Sequence, residues 1–296
     1  MPAGQRPLVR RRLRTELRQE RERARKSQAE VAKKMDWSLS KIIRLEAGQV
    51  GISTNDLKAL LDLYGVGDDE RRSYFIELAR SARQQSAWWN AFRDVVPSGE
   101  YFDFLGYEND AATLNYYCSL ILPGLLQTED YAREVFETAA STELDETTID
   151  RLVELRMARK EHVLDRDDPP QLNVVIDEAS LHRVVGGPEV MSDQITSIAE
   201  VAQLDNVMIR VIPFGTGGHP GMNGPFEILE FADPADPPVV QFDAAPRDVT
   251  LRDNDEIAGM YRRIYAGLFD LAMEESESVE LMNRIAADIG GDNNPG

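Results

Sequence analysis

The sequence predicts an all-α N-terminal domain followed by an α+β domain whose sheet is covered by helices. Three observations predict it. Up to Asn90 apolar residues recur at helical spacing between cap residues. From Tyr101 onward, short runs of alternating apolar and aromatic residues read as strands between longer helical stretches. The charge also changes sign along the chain. Met1–Val66 holds 15 Lys+Arg and 8 Asp+Glu, a net of +7. The remainder carries −26, for a total of −19. A basic head on an acidic body implies two domains with different partners. At 296 residues and 42% hydrophobic content, the chain can bury a core in each.

In the head, Leu13, Leu17 and Ala24 share one face of a first helix. Ser27 caps a second, with Glu30 at capping-box spacing and Val31, Ala32 and Met35 facing inward. Asp36-Trp37 is the turn, Asp being tolerant of left-handed backbone. Ser38 caps a third helix, in which Ile42 and Leu45 face inward and Gly48 closes the end. Leu57, Leu60, Leu61 and Tyr64 define a fourth helix over Thr54–Tyr64, and Arg71–Asn90 reads as a fifth ending in Trp88-Trp89. The domain boundary is placed at Arg80–Arg83, giving domains over 1–80 and 81–290 and a disordered tail over 291–296.

The stretch "KSQAEVAKKMDWSLSKIIRLEAG" resembles the Xre/Cro-repressor helix-turn-helix family. The resemblance implies that Gln28 bonds the DNA backbone and that Ser38, Ser40, Lys41 and Arg44 face the major groove. The chemistry agrees, because Lys and Arg pair with guanine O6/N7 and Ser donates or accepts. Leu39 and Ile43, one turn apart and outward, suit thymine methyls. The chain departs from the family in having Asp36 where glycine is usual and "AGQVG" where relatives often place arginines. For Arg10, Arg11, Arg12 and Arg14 two readings stand, a phosphate-binding arm and a solvated helix start. Trp88 and Trp89 could form an interface for a partner or ligand or a base-stacking platform, and the acidity that follows favours packing at the domain junction.

In the body, "YFDFLGYE", "TLNYYCSLI", "QLNVVID", "NVMIRVIPF", "PFEILEF", "PVVQFD" and "RDVTLRD" read as strands. Helices are predicted from Thr128, over Thr147–Leu164, in "EASLHRVV", from Gly186 to Leu204, over Asp255–Met273 and over Glu277–Ile289. Pro97-Ser98-Gly99 is a turn. Several long motifs, among them "ILPGLLQTEDYARE", "RLVELRMARKEHVL" and "NVMIRVIPFGTGGHPGMNGPFEILEF", resemble the DUF5753 domain, over about Trp88–Ala287. That domain typically follows an Xre-type head in actinobacteria. The resemblance implies a regulatory, antitoxin-like role and a small DUF397-type protein as partner.

No catalytic spacing is present. His162 sits on a charged helix face; Asp177, Glu178 and His182 lack the second close pair that a metal site needs. "FGTGGHPGMNGPF", with Gly218, His219 and Asn223, is longer than a hairpin requires. It is either an irregular connection or a ligand-contacting lid. The lone Cys118 excludes an intrachain disulfide, no apolar run approaches the roughly 20 residues of a membrane span, and no secretory signal is recognisable. The expectation is a cytoplasmic, non-enzymatic transcriptional regulator without cofactor or metal. It binds double-stranded DNA as a homodimer, and its acidic body binds a small protein or ligand that modulates DNA binding. An antitoxin that mainly neutralises a small partner, and a small-molecule receptor, are the alternatives.

Overall fold

The computed structural model describes residues 6–83, 87–96, 99–139, 144–242, 249–251 and 254–291. It divides into two compact units, Met1–Arg93 and Asp94–Gly296. The division falls after Arg93, C-terminal to the Arg80–Arg83 position read from the sequence.

The first unit is built of α1 (Pro7–Arg23), α2 (Gln28–Met35), α3 (Leu39–Glu46), α4 (Thr54–Tyr64) and α5 (Asp69–Ser81), followed by a 3-10 turn over Trp88–Phe92. Polar caps define the starts. The Ser27 hydroxyl accepts from the Glu30 amide at 3.2 Å while the Glu30 carboxylate accepts from the Ser27 amide at 2.8 Å, a complete capping box. Ser38, Ser53 and Asp68 accept from the amides of Lys41, Asp56 and Arg71 in the same way. Asp36 ends α2 at φ 54°, so the left-handed position that glycine often fills is held by an aspartate. Val31, Ile42, Leu57, Leu60, Leu61 and Phe75 are fully buried in one cluster. Each such side chain contributes about 1.5–3 kcal/mol on burial. The helix predicted over Arg71–Asn90 is two elements: α5 stops at Ser81, and the tryptophans lie in the separate 3-10 turn.

The second unit is α+β, with α6 (Gly99–Asp110), β1 (Thr113–Cys118), α7 (Glu129–Ala139), α8 (Glu146–Leu164), β2 (Gln171–Asp177), α9 (Glu178–His182), α10 (Gly187–Val201), β3 (Val207–Ile212), β4 (Phe226–Glu230), β5 (Val239–Phe242), β6 (Val249–Leu251), α11 (Asp255–Leu271) and α12 (Glu275–Gly291). The six strands form one mixed sheet in the order β3-β2-β1-β4-β5-β6. β1, β2 and β3 are parallel; β4, β5 and β6 add on antiparallel. Val174, Val175 and Ile176 are all buried, so β2 is covered on both faces, as a parallel strand with helical crossovers requires. Tyr265 and Leu268 of α11 join one buried cluster with Tyr117, Val175, Ile212, Phe226 and Ile228.

"YFDFLGYE", read as a strand, lies in α6. Its Glu108 is fully buried and receives two hydrogen bonds from Arg159 of α8, at 2.6 and 3.0 Å. Arg159 also donates to the Tyr101 hydroxyl at 2.9 Å. Only a helix places Tyr101 and Glu108 on one side toward that single guanidinium. The remaining strands and helices form where the sequence placed them, and α10 ends at Val201, short of Leu204. Pro97 and Ser98 of the predicted turn and the tail from 292 lie outside the described residues. Among the described residues no helix is long and apolar enough to cross a membrane.

Candidate nucleic-acid interface

The α2-turn-α3 unit is held from beneath by charged groups. Arg21 of α1 donates to both oxygens of Glu46 at the end of α3, at 2.6 and 3.0 Å, and to the Lys26 carbonyl at 2.8 Å. Their side chains are 11% and 7% exposed. Donating to the Glu46 carboxylate raises the Arg21 guanidinium above its usual range despite the opposing effect of burial. Gln28, at the start of α2, donates to the same carboxylate at 2.8 Å. One carboxylate thus ties α1, α2 and α3 together. It also occupies a Gln28 N–H, and the side-chain amide has a second one to offer a phosphate.

Above this clamp, Ser38, Leu39, Ser40, Ile43 and Arg44 are exposed on the outer side of α3. Leu39 and Ile43 are each 46% exposed, while Ile42 and Leu45 of the same helix are buried. The Ser38 hydroxyl accepts a hydrogen bond as the helix cap, which leaves its proton available to donate. Lys41 is half-exposed. Its ammonium lies 3.2 Å from the Asp56 carboxylate and 3.6 Å from the centre of the Trp37 ring. Arg44 is the more exposed of the two cations on α3.

The arginines of α1 do not act as one group. Arg11, expected among the phosphate contacts, is 2% exposed, because its position on α1 turns inward. Arg14 donates to the Ala47 carbonyl at 3.0 Å, at the carboxyl end of α3 where a cation is favoured. Arg10 and Arg12 are half-buried. Trp89 is buried and packs edge-to-face with the half-buried Trp88 at 5.6 Å. Trp89 therefore cannot offer a stacking face, and Trp88 alone has exposed ring surface.

In the second unit, the segment between β3 and β4 is pinned to the end of β2. His219 Nε2 lies 3.1 Å from Asp177 Oδ2, and the Glu178 carboxylate accepts from the Phe214 amide at 2.6 Å. The Gly221 backbone rests on the Tyr117 ring so closely that an added Cβ would fall 2.3 Å from it. Burial, reinforced by Asp177, pushes the Tyr117 hydroxyl above its usual range. The His219 side chain is 4% exposed, and Asn223 donates to the Pro220 carbonyl at 3.0 Å. Gly218 and Asn223 face solvent. Asp177 and Glu178, weighed with His182 as metal ligands, are struts for this segment, and no group of three or more His, Cys, Asp or Glu among the described residues could hold a metal. The Asp177–His219 pairing spans 42 residues and left no sequence signal.

A family model described as a helix-turn-helix domain matches residues 12–73, and one described as a domain of unknown function (DUF5753) matches residues 101–284. No curated protein and no solved structure matches the chain.

Proposed function

Because the chain belongs to the DUF5753 family and its head is the helix-turn-helix domain of a DNA-binding regulator, we propose that it is a sequence-specific transcriptional regulator. It reads an operator with α3, and its acidic body responds to a protein partner or ligand. The observation that carries this reading is the outer side of α3. Two large apolar side chains and one arginine stand exposed there, on a helix whose inner side is buried and whose ends are fixed. Arg44 suits a guanine edge, Leu39 and Ile43 suit thymine methyls, and Ser38 and Ser40 suit either base edges or phosphates. Gln28, Arg10 and Arg12 supply phosphate contacts. The excess negative charge of the body keeps nonspecific DNA at a distance, so affinity depends on the local basic face.

The body supplies the regulatory input through the segment around Gly218, His219 and Asn223. A partner that prefers the DNA-free form weakens operator binding by the same factor that DNA weakens partner binding.

The test is selection of bound sequences from a random duplex pool with the full chain, followed by replacement of each selected thymine with uracil. A recovered motif whose affinity falls when methyl groups are deleted supports the reading. Recovery of no preferred sequence at low and moderate salt overturns it.

A further inference from the structure

The carboxyl ends of three neighbouring parallel strands meet at one end of the second unit. β1, β2 and β3 finish at Cys118, Asp177 and Ile212, and the register aligns these ends. The chain leaving each strand exposes large apolar side chains there: Leu120 and Ile121 after β1, Val184 after α9, and Phe214 and Met222 after β3. Their exposures run from 40% for Ile121 to 72% for Met222. Five of the eight exposed large hydrophobics among the described residues of this unit follow these strand ends.

The segments after β1 and β3 carry no formal charge, while the chain at the end of β2 holds Asp177, Glu178 and the exposed Arg183 beside Val184. No Asp, Glu, Lys or Arg occurs from Ala111 to Thr128 or from Val211 to Phe226. The setting makes this unusual. From Asp94 onward the chain holds 13 Lys+Arg and 40 Asp+Glu, a net of −27. Two such bodies repel one another wherever carboxylates face each other, over about 8 Å at physiological ionic strength. They can approach only where that charge is missing. The apolar side chains are also held in place before any encounter. The Phe214 amide is bonded to Glu178, and Met222 follows Gly221, which is seated on Tyr117.

We propose that this apolar, charge-poor end of the sheet is a self-association surface, occupied by the same surface of a second copy of the chain. A two-fold contact is isologous and needs a patch that complements itself. A mostly uncharged apolar patch satisfies this with few matched ion pairs. The proposal rests on the regulator reading in one respect: helix-turn-helix proteins commonly bind paired half-sites one helical turn apart, so a second copy has a use. It also gives the His219 segment a consequence, since whatever displaces it from Asp177 disturbs the pairing surface.

The experiment is sedimentation equilibrium of the full chain without DNA, at micromolar concentrations and at low and high salt. The proteins are the wild type, Phe214→Asp, Met222→Asp, the milder Met222→Gln, and Leu204→Asp as control. Leu204 is 49% exposed but lies just before the start of β3, at the opposite end of the sheet. The exposed positions of Phe214 and Met222 leave the core intact, and far-UV circular dichroism checks this. The wild type and Leu204→Asp are expected to dimerise, more tightly at high salt as the acidic bodies are screened. Each Asp variant at the patch should dissociate about tenfold more readily or worse, because pairing would bury an unpaired charge, and Met222→Gln should fall between. A wild type that stays monomeric overturns the proposal. So do patch variants that dimerise like the wild type, or a Leu204→Asp that dissociates as they do. Failure of the regulator reading shows separately, as loss of sequence preference in the selection experiment.

Discussion

Glu46→Ala should unfasten the head. The substitution removes two charge-assisted hydrogen bonds from Arg21 and one from Gln28. Taking one partner from a buried ion pair costs about 3–5 kcal/mol, mostly because the other charge stays buried alone. Arg21 keeps the Lys26 carbonyl at 2.8 Å and has the Glu22 carboxylate at 3.5 Å, which sets the expected loss near the lower end, about 3 kcal/mol. For a domain of this size each kcal/mol moves the midpoint by about 4–8 °C, so the head's Tm should fall by about 12–24 °C. The chain provides its own probe: Trp37, Trp88 and Trp89 are its three tryptophans, and all lie in the first unit. Tryptophan fluorescence in a urea titration therefore follows the head without interference from the body. Replacing both charges, with Arg21→Met and Glu46→Leu together, should restore most of the stability, since an apolar pair of similar volume is often neutral. A loss under about 1 kcal/mol for Glu46→Ala, or a double variant as unstable as the single one, would refute the role given to the clamp.

Arg44→Ala should lose about 1–3 kcal/mol of discrimination between operator variants. Lys41→Ala should lose less, since its ammonium already faces Asp56 and Trp37; competition binding that flattens the ranking for Lys41→Ala but not Arg44→Ala reverses the assignment. Glu108→Ala strands a buried Arg159 and should destabilise the second unit by about 3–5 kcal/mol, read as a lowered thermal transition in circular dichroism while the tryptophan signal is unchanged. The Ser27 amide and hydroxyl hold the Glu30 carboxyl below the usual glutamate range. That stabilisation is present above the unfolded-state pKa and is lost as pH falls through the lower folded value. Glu30→Gln, which removes the titrating carboxyl, should therefore flatten the acid limb of head stability followed by fluorescence; an unchanged limb excludes the capping box as its source.

The head was legible because its signals are local. Ser27 with Glu30, Ser38, and the spacing of Ile42 and Leu45 fix caps and faces within a few residues. What escaped depends on partners distant in the chain. Arg11 looks like a free cation until burial removes it, and the pairing of Lys41 with Asp56 joins residues 15 apart. "YFDFLGYE" has aromatic residues at spacings that suit a strand or a helix, and a short apolar run does not choose between them. The choice is made by Arg159, which needs Glu108 and Tyr101 on the same side. The segment around His219 stood out by composition, but Asp177, the carboxylate that secures it, lies 42 residues away in the chain.

The order of strands in the sheet also sets the order in which the body can be completed during synthesis. β1 lies in the middle, yet its two neighbours arrive far apart: β2 follows after α7 and α8, while β4 appears only after β3 and the connection across the sheet, with Thr113 pairing to Glu230. Until then one edge of β1 is bare, with apolar Leu114 and Tyr117 beside unpaired backbone groups. Such an edge is a template for pairing with other chains, and contacts this distant in sequence form slowly. The head, made first from near-neighbour contacts, can be folded while the ribosome is still supplying β4. The window between β1 and β4 is thus the interval in which a nascent chain is most exposed to misassembly, and slowing translation through residues 213–225 should lengthen it.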